Sequence, residues 1–511
     1  MCGFVVSTDG GNMDKMLDAQ RFRGPDHRGE TIRYFSTLTW GHVLLDISGT
    51  KEVQPYITKK GSILVFNGEM YDSNIPSDTQ FLAEGFEKYG LKFIEFTNWH
   101  GSFCFMNYQT MEMIICRDHF GAKPLWIRTE PIIENGGGGV TVTTSLASLE
   151  NLQPIKPHKN FWTNPIWTGS KSPFVGVKKV EPGQIYTYNC HTGVLKKKEN
   201  LWEGYKVKNN PFNLEEFQSN LVNSIRKVAK NKQKTAIFLS GGLDSTCALG
   251  VVKDMGLDLT AYISAYSEEE GDVYRQDVFA QEADLAIKTC EEWGVPYKVV
   301  TLTKKQRDEY GKLWIQRNNY LWNDSNRRAP RYALAKAASE DGCKVVLTGD
   351  SADEFFSGYQ HHAKRYIKGY NQEWIGEVPK VHPWMPKRVF NEDKMGFNST
   401  LFMDLLITSE NNILATDQTC GLFGMESRPV YLSQEFARYI FESDGRVKMK
   451  LHKDYTSGTY KYLLRECMKD YIPQHILDRK SKCGWSSPWD NNSLANKQRN
   501  MDDWKEWVLR K

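Results

Sequence analysis

The sequence predicts an α/β protein in two parts, and three patterns predict it. Residues 1–200 carry short apolar β segments separated by turns. From about residue 235 the pattern changes to apolar strands alternating with helices, which is the signature of a parallel sheet. One of those strands runs into the Gly-rich turn SGGLDS at 240–245, and a helix follows at once.

In the first part, strands are expected at 4–7, 39–47, 63–66, 102–108 and 111–116. Several are continuous apolar runs, as in sheets covered on both faces. A helix is expected near 80–89, and NGGGG at 135–139 reads as a loop. The polar, Lys-rich stretch 195–213 reads as a linker. A helix from Asn213 places Leu214, Phe217, Leu221 and Ile225 at helical spacing. Strands at 235–239, 260–264, 297–302 and 344–348 follow, with a helix over 276–293. The remaining residues read as mostly helical, without internal repeat. The expected division is a domain over 2–200 and a second over 213–511.

The chain has 511 residues, 40% hydrophobic and 25% charged, which is enough to bury sizeable cores. Its 66 basic and 62 acidic residues leave a formal charge of +4. That balance gives no reason to expect a nucleic-acid or membrane partner. There is no run of 18 apolar residues, and the start MCGFVVSTDGGNMDK lacks the basic and apolar regions of a secretory signal. The ten cysteines form no CxxC pair, so a reduced cytoplasmic chain with buried thiols is expected.

The turn SGGLDS carries chemistry. Adjacent glycines let backbone N–H groups crowd against an anion, and the helix that follows adds its positive end. Ser240 and Ser245 can donate to phosphate oxygens. Asp244, itself negative, makes sense there with Mg²⁺ between it and the phosphates. The loop is not GxxxxGK[ST], which disfavours a Walker-type NTPase. A second acidic turn, GDSADEFFSGY at 349–359, follows strand 344–348. Alone it reads as a solvated helix cap; paired with the first loop it reads as the other wall of one crevice. Cys2 follows the initiator Met, and on position alone it reads as an incidental cysteine; removal of Met1 would put a thiol and a free α-amine on one residue, so that the amine can serve as the thiol's base.

Six segments, in order, carry a family resemblance. MCGF at the start, RFRGPDHRG at 21–29, FNGEMYD at 66–72 and CRDHFGAKPLW at 116–126 resemble the motifs of class II glutamine amidotransferases. SGGLDS resembles the pyrophosphate loop of the N-type ATP pyrophosphatases, and GDSADEFFSGY resembles the GDGADExFxGY signature of asparagine synthetases, with Ser351 in place of a glycine. The whole chain is similar to glutamine-hydrolysing asparagine synthetases. The resemblance implies an N-terminal αββα sandwich of antiparallel sheets (an Ntn-type glutaminase) and a C-terminal doubly wound parallel-sheet PP-loop domain with a helical end.

The resemblance also implies roles. Cys2 is the nucleophile, and the Asn67 side chain with the Gly68 N–H forms the oxyanion hole, although Asn67-Gly68 also reads as a hairpin turn. Asp78 holds the glutamine α-amine, with Glu69 in support. Leu239, Ser240, Gly241, Gly242, Asp244, Ser245, Thr348 and Gly349 hold ATP. Asp244 and Asp353 share Mg²⁺, and Asp350 faces the same crevice as a catalytic group. KSKCGWSSP at 480–488 resembles the family's KxGFxxP loop and assigns charge stabilisation to Lys482, with Lys480 as the substitute. YKYLLRECMKDYIP at 460–473 resembles the KxxLRE helix, and GMESRPVYLS at 424–433 partly resembles GxExRxPFLD. The implied reaction hydrolyses glutamine and adenylates a small carboxylate acceptor, aspartate in the family, which ammonia then aminates. Family members often form homodimers.

Two stretches depart from the pattern. HVLLDI at 42–47 stands where the family has HERLSI, so Leu44 replaces the Arg that binds the glutamine α-carboxylate. Such a charge-assisted bond is worth about 1.5–3 kcal/mol. Arg28, beside the RGPD motif, is a candidate substitute; a chain preferring ammonia or another donor is the alternative. NDSNRRAP at 323–330 replaces the family's Thr-rich acceptor stretch. There Arg327 and Arg328 either clamp the acceptor carboxylate or form a solvated basic turn, with a helix expected after Pro330.

Overall fold

A computed structural model describes residues 1–8, 12–34, 38–129, 139–151, 169–267, 278–318, 325–370, 396–451 and 458–479. The N-terminal part is built from two antiparallel sheets. One runs in the order Val177–Lys179, Trp126–Thr129, Val140–Thr143, Gly3–Ser7, Leu38–Leu44 and His27–Arg28, with Ile32–Tyr34 also on Leu38–Leu44. The other runs Leu195–Asn200, Gln184–Asn189, Glu112–Arg117, Trp99–Asn107, Ile63–Met70 and Tyr56–Ile57.

Strand alternation explains the layering. Successive side chains point to opposite faces. Phe4 and Val6 join Val65, Cys104 and Met106 in the core between the sheets, while Val5 packs under helix Met13–Asp18 with Met16 and Leu17. On the second sheet, Leu64, Phe66, Phe103 and Phe105 face Leu82 and Phe86 of helix Asp78–Tyr89. The layers are therefore helix, sheet, sheet, helix.

The C-terminal part holds a five-stranded, all-parallel sheet. Its order is Tyr297–Thr303, Leu259–Ser267, Thr235–Phe238, Val345–Thr348 and Glu426–Pro429. Helices Leu243–Val252, Val278–Trp293, Ser325–Glu340 and Glu410–Gly421 pack on it. Chain order reverses between Thr235–Phe238 and Val345–Thr348. At such a switch point the loops leave in opposite directions and open a crevice beyond the strand ends. The loops that leave here are SGGLDS and GDSADE. Gly349 lets them approach: a Cβ on it would lie 2.9 Å from the Ser245 nitrogen.

The structure corrects several sequence expectations. Residues 195–200 are no linker but an edge strand paired with Gln184–Asn189. Its first four side chains are exposed, which removes the apolar alternation, and lysines on such an edge discourage pairing with other chains. Asn67-Gly68 is not a turn: Ile63–Met70 runs straight through it, with Asn67 opposite Ser102 and Gly68 opposite Gly101. Helix Ser325–Glu340 starts before Pro330 rather than after it. The fifth strand, Glu426–Pro429, lies in a region read as helical. Most of the loop 135–139 lies outside the described residues, as do residues 276 and 277.

Buried ion pairs join the two parts. Glu410 receives Arg117 at 2.9 Å and Lys179 at 2.6 Å, and Asp417 receives Arg23 at 2.9 Å and Lys123 at 3.4 Å. All six side chains are buried. Removing one partner of such a pair typically costs about 3–5 kcal/mol, because the other charge stays buried.

Candidate functional site

The N-terminal site forms where strand Gly3–Ser7 begins beside strand Ile63–Met70. The backbone N–H of Cys2 donates to Asn67 Oδ1 at 2.9 Å. Asn67 is fully buried, and among the described residues its amide nitrogen has no hydrogen-bond partner. A buried N–H₂ group left unpaired is a donor awaiting an acceptor. Gly68 is required by packing, since a Cβ there would lie 2.1 Å from the His100 carbonyl oxygen. The Cys2 thiol donates weakly to the Leu45 carbonyl at 3.8 Å, and burial pushes its pKa up. The Met1 α-amine is buried too, 3.5 Å from Glu426 Oε2, and burial lowers its pKa.

A small cavity of about 50 Å³ adjoins Cys2 and is lined by Leu44, Gly68, Glu69 and Asp78 among others. It also receives Glu426 from the far strand of the parallel sheet. Asp78 opens helix Asp78–Tyr89 and accepts from the Met70 N–H at 3.3 Å. Burial, reinforced by the charge of Glu69, pushes its carboxyl up to about 8. Glu69 faces Arg428 Nη2 at 2.9 Å, and Arg428 Nε donates to Glu426 at 2.8 Å. Asp46, Glu52, Glu69, Asp78 and Glu426 all line this cavity, and among the described residues no basic side chain does.

Arg28 does not substitute for the missing arginine. Its guanidinium is held by Asp14 and Asp18, the latter at 2.9 Å. Strand register explains why: Arg28 pairs with Val43 and His27 with Leu44, so Arg28 shares the face of Val43, opposite that of Leu44.

The second site is a crevice of about 550 Å³ at the switch point of the parallel sheet. Leu239, Ser240, Gly242, Asp244 and Ser245 line one side, and Thr348, Gly349, Asp350 and Asp353 the other. Gly241 does not line it. Gly241 has φ +67° and backs onto the next helix, where a Cβ would meet the Glu282 carbonyl oxygen at 2.2 Å. The hydroxyls of Ser240 and Ser245 lie 3.1 Å apart at the start of helix Leu243–Val252. Asp350 accepts from the hydroxyls of Thr348 and Thr416, each at 3.0 Å.

Sequence reasoning missed the crevice's central cation, Lys461. Its ammonium lies 2.5 Å from Asp244 and 2.7 Å from Asp353 Oδ1. Those carboxylates raise its pKa against the opposing effect of burial. Lys461 has φ +52°, a conformation rare outside glycine and enriched at functional sites. The signal was available, because Lys461 stands at the Lys of the segment that resembles KxxLRE. Asp244 and Asp353 thus converge on one positive centre, and this donor set of two carboxylate groups suits Mg²⁺ as well. Lys480 and Lys482 lie outside the described residues.

Arg328 does not reach the crevice. It is fully buried with its guanidinium over the Trp314 ring, 5.6 Å from the centroid. Because the helix begins before Pro330, the face turned to the crevice carries Arg331 instead, with Nη2 3.9 Å from Asp350. The Arg327 side chain lies outside the described residues. Glu354, also unassigned from sequence, lines the crevice; burial and the charge of Asp353 push it up to about 8.

Comparison with known proteins bears on both sites. Residues 216–507 match the family described as asparagine synthase, and residues 1–199 match the glutamine amidotransferase domain. The amidase chyE of Penicillium rubens is 22% identical over 95% of this chain and 86% of its own length. The amidase chry2 of Gibberella zeae is 25% identical over the same shares. The glutamine-hydrolysing asparagine synthetase 2 of Oryza sativa is 21% identical over 90% of this chain and 72% of its own. The asparagine synthase match covers the crevice built from the SGGLDS and GDSADE loops, and the amidotransferase match covers Cys2 and Asn67. The chain belongs to the asparagine synthase family, ligases that form a carbon–nitrogen bond with nitrogen taken from glutamine.

Proposed function

We propose that this chain converts a small carboxylate to its amide through an acyl-adenylate, with aspartate the acceptor and asparagine the product. The meeting of the Asp244 and Asp353 loops around Lys461, in one chain with Cys2 and Asn67, is the observation that carries the reading.

With Met1 removed, the Cys2 amine takes the thiol proton and the sulfur attacks the glutamine carboxamide carbon. The Asn67 N–H₂ group and the Gly68 N–H receive the oxyanion. Ammonia leaves, and water hydrolyses the thioester to glutamate. In the crevice, an acceptor carboxylate oxygen attacks the α-phosphorus of ATP and pyrophosphate departs. Ser240, Ser245 and the N–H groups of the Gly-rich turn hold phosphate oxygens. Mg²⁺, held by Asp244 and Asp353, supplies charge neutralisation on the phosphates when bound. Lys461 adds fixed positive charge where negative charge develops. Arg331 is placed to orient the acceptor carboxylate. Ammonia then attacks the acyl carbon, and AMP leaves.

A second reading concerns the donor. With Leu44 where the family has an arginine, no basic side chain among the described residues lines the cavity to receive a glutamine α-carboxylate, and free ammonia is the alternative nitrogen source. Mass spectrometry of products from ATP, Mg²⁺ and aspartate, with either glutamine or ammonium, tests acceptor, donor and phosphate cleavage together. AMP formation without asparagine would redirect the acceptor, and no AMP with any carboxylate would sink the reading.

A further inference from the structure

Away from both sites, one cluster brings metal-binding atoms together. Helix Gln360–Tyr370 carries the consecutive histidines His361 and His362 in its first turn. Neighbouring side chains on a helix point about 100° apart, so adjacent imidazoles ordinarily diverge. Here both Nε2 atoms reach one oxygen, Oδ2 of Asp404, at 2.5 and 2.8 Å. The ring centroids lie 4.4 Å apart, and all three ligand atoms fall within 4.8 Å of one another. His362 is fully buried, whereas His361 is exposed. The cluster is thus anchored from inside and open to solvent on one side.

The local backbone sets this cluster apart from a chance surface contact. Asp404 ends helix Phe397–Asp404, and the next five residues, Leu405–Ser409, form a π-helical turn. Such turns are rare and recur at functional sites. The π turn ends at Ser409, whose hydroxyl lies 2.7 Å from that of Ser351 in the crevice loop. On the other side, Tyr359 stacks on His361 and donates to Glu354 at 2.8 Å. None of the three candidate ligands lines the crevice.

We propose that His361, His362 and Asp404 bind a divalent transition-metal ion, zinc above others, which ties helix Gln360–Tyr370 to the π turn behind the ATP crevice. Two imidazoles and one carboxylate leave a fourth tetrahedral position for water on the exposed side. With zinc–ligand bonds of about 2.0–2.1 Å, ligand atoms sit roughly 3.3 Å apart. The carboxylate oxygen would need to draw away from the two nitrogens by about 0.8 and 0.5 Å from the present 2.5 and 2.8 Å.

The test is calorimetric titration of the full chain, stripped with a chelator, with Zn²⁺ alone. Visible absorption with Co²⁺ reports the coordination sphere. One equivalent per chain is expected, with cobalt bands of tetrahedral intensity. His361→Ala and Asp404→Asn should each weaken binding by about tenfold or more, since even outer-shell changes at metal sites cost 10- to 100-fold. His361 is exposed, so its loss leaves folding intact and keeps the test sound if the Asp404 variant misfolds. No zinc binding by the folded chain, or binding unchanged in His361→Ala, overturns the proposal.

Discussion

The Cys2 backbone N–H and the Asn67 side-chain oxygen are joined by a 2.9 Å hydrogen bond inside the N-terminal sandwich. This bond commits one end of the Asn67 amide and leaves the other, its N–H₂, as a buried donor beside the thiol, unpaired among the described residues. In the proposed mechanism a single residue therefore positions the nucleophile and offers the oxyanion donor.

Asn67→Ala should lower glutamine hydrolysis by about 100- to 1000-fold, the usual loss of one oxyanion donor. Ammonium-supported AMP formation should stay near the parent rate, because the crevice is untouched. Release of glutamate and AMP, measured in parallel, checks this. Equal losses in both would show that Asn67 acts on the whole fold.

Leu44→Arg should restore the missing cation to the donor cavity. A charge-assisted bond of about 1.5–3 kcal/mol corresponds to a fall in glutamine KM of roughly 10- to 150-fold. The ammonium KM should not move. Steady-state kinetics with both nitrogen sources decides it, and an unchanged glutamine KM would mean that the donor's carboxylate lies elsewhere.

Much of this site was legible in the sequence because its chemistry constrains short segments. The Gly-rich turn between a strand and a helix lies at the crevice, and Cys2, next to the start of the chain, lies at the smaller cavity. What escaped depended on tertiary placement. Strand Glu426–Pro429 reads as polar, yet Glu426 and Arg428 are buried because Met1 and Glu69 across the interface balance them. Arg331 rather than Arg328 faces the crevice because the helix starts before Pro330, which sets the phase of every later residue. Lys461 enters the crevice through a left-handed backbone that no propensity foretells. Strand Leu195–Asn200 was hidden because an exposed edge needs no apolar face.

Asp78 should make the parent protein less stable as pH rises. Its carboxyl sits at about 8 in the folded chain against an ordinary 3.8. The native state therefore holds a proton that the unfolded state has released, and stability falls between about pH 4 and pH 8. Asp78→Asn cannot ionise but can still accept from the Met70 N–H. The variant should gain on the parent across that window and show no advantage below about pH 4. Urea unfolding at several pH values checks the trend, while glutamine KM should rise if Asp78 holds the donor amine. A variant less stable than the parent at pH 8 would contradict the burial argument.

Ser351 occupies a backbone position that favours glycine, with φ +79°, and the left-handed conformation costs an L-residue about 1–2 kcal/mol. Its hydroxyl offsets part of that cost through the buried 2.7 Å bond to Ser409, worth about 0.5–1.5 kcal/mol, with a further penalty if the partner is left unpaired. The two effects separate by substitution. Ser351→Ala keeps the strained backbone and loses the bond, so it should destabilise by about 1–2 kcal/mol. Ser351→Gly loses the same bond but relieves the strain, so its stability should fall within about 1 kcal/mol of the parent. Urea midpoints at constant m compare the three chains. If glycine proves as damaging as alanine, strain at this loop is not what the serine hydroxyl offsets.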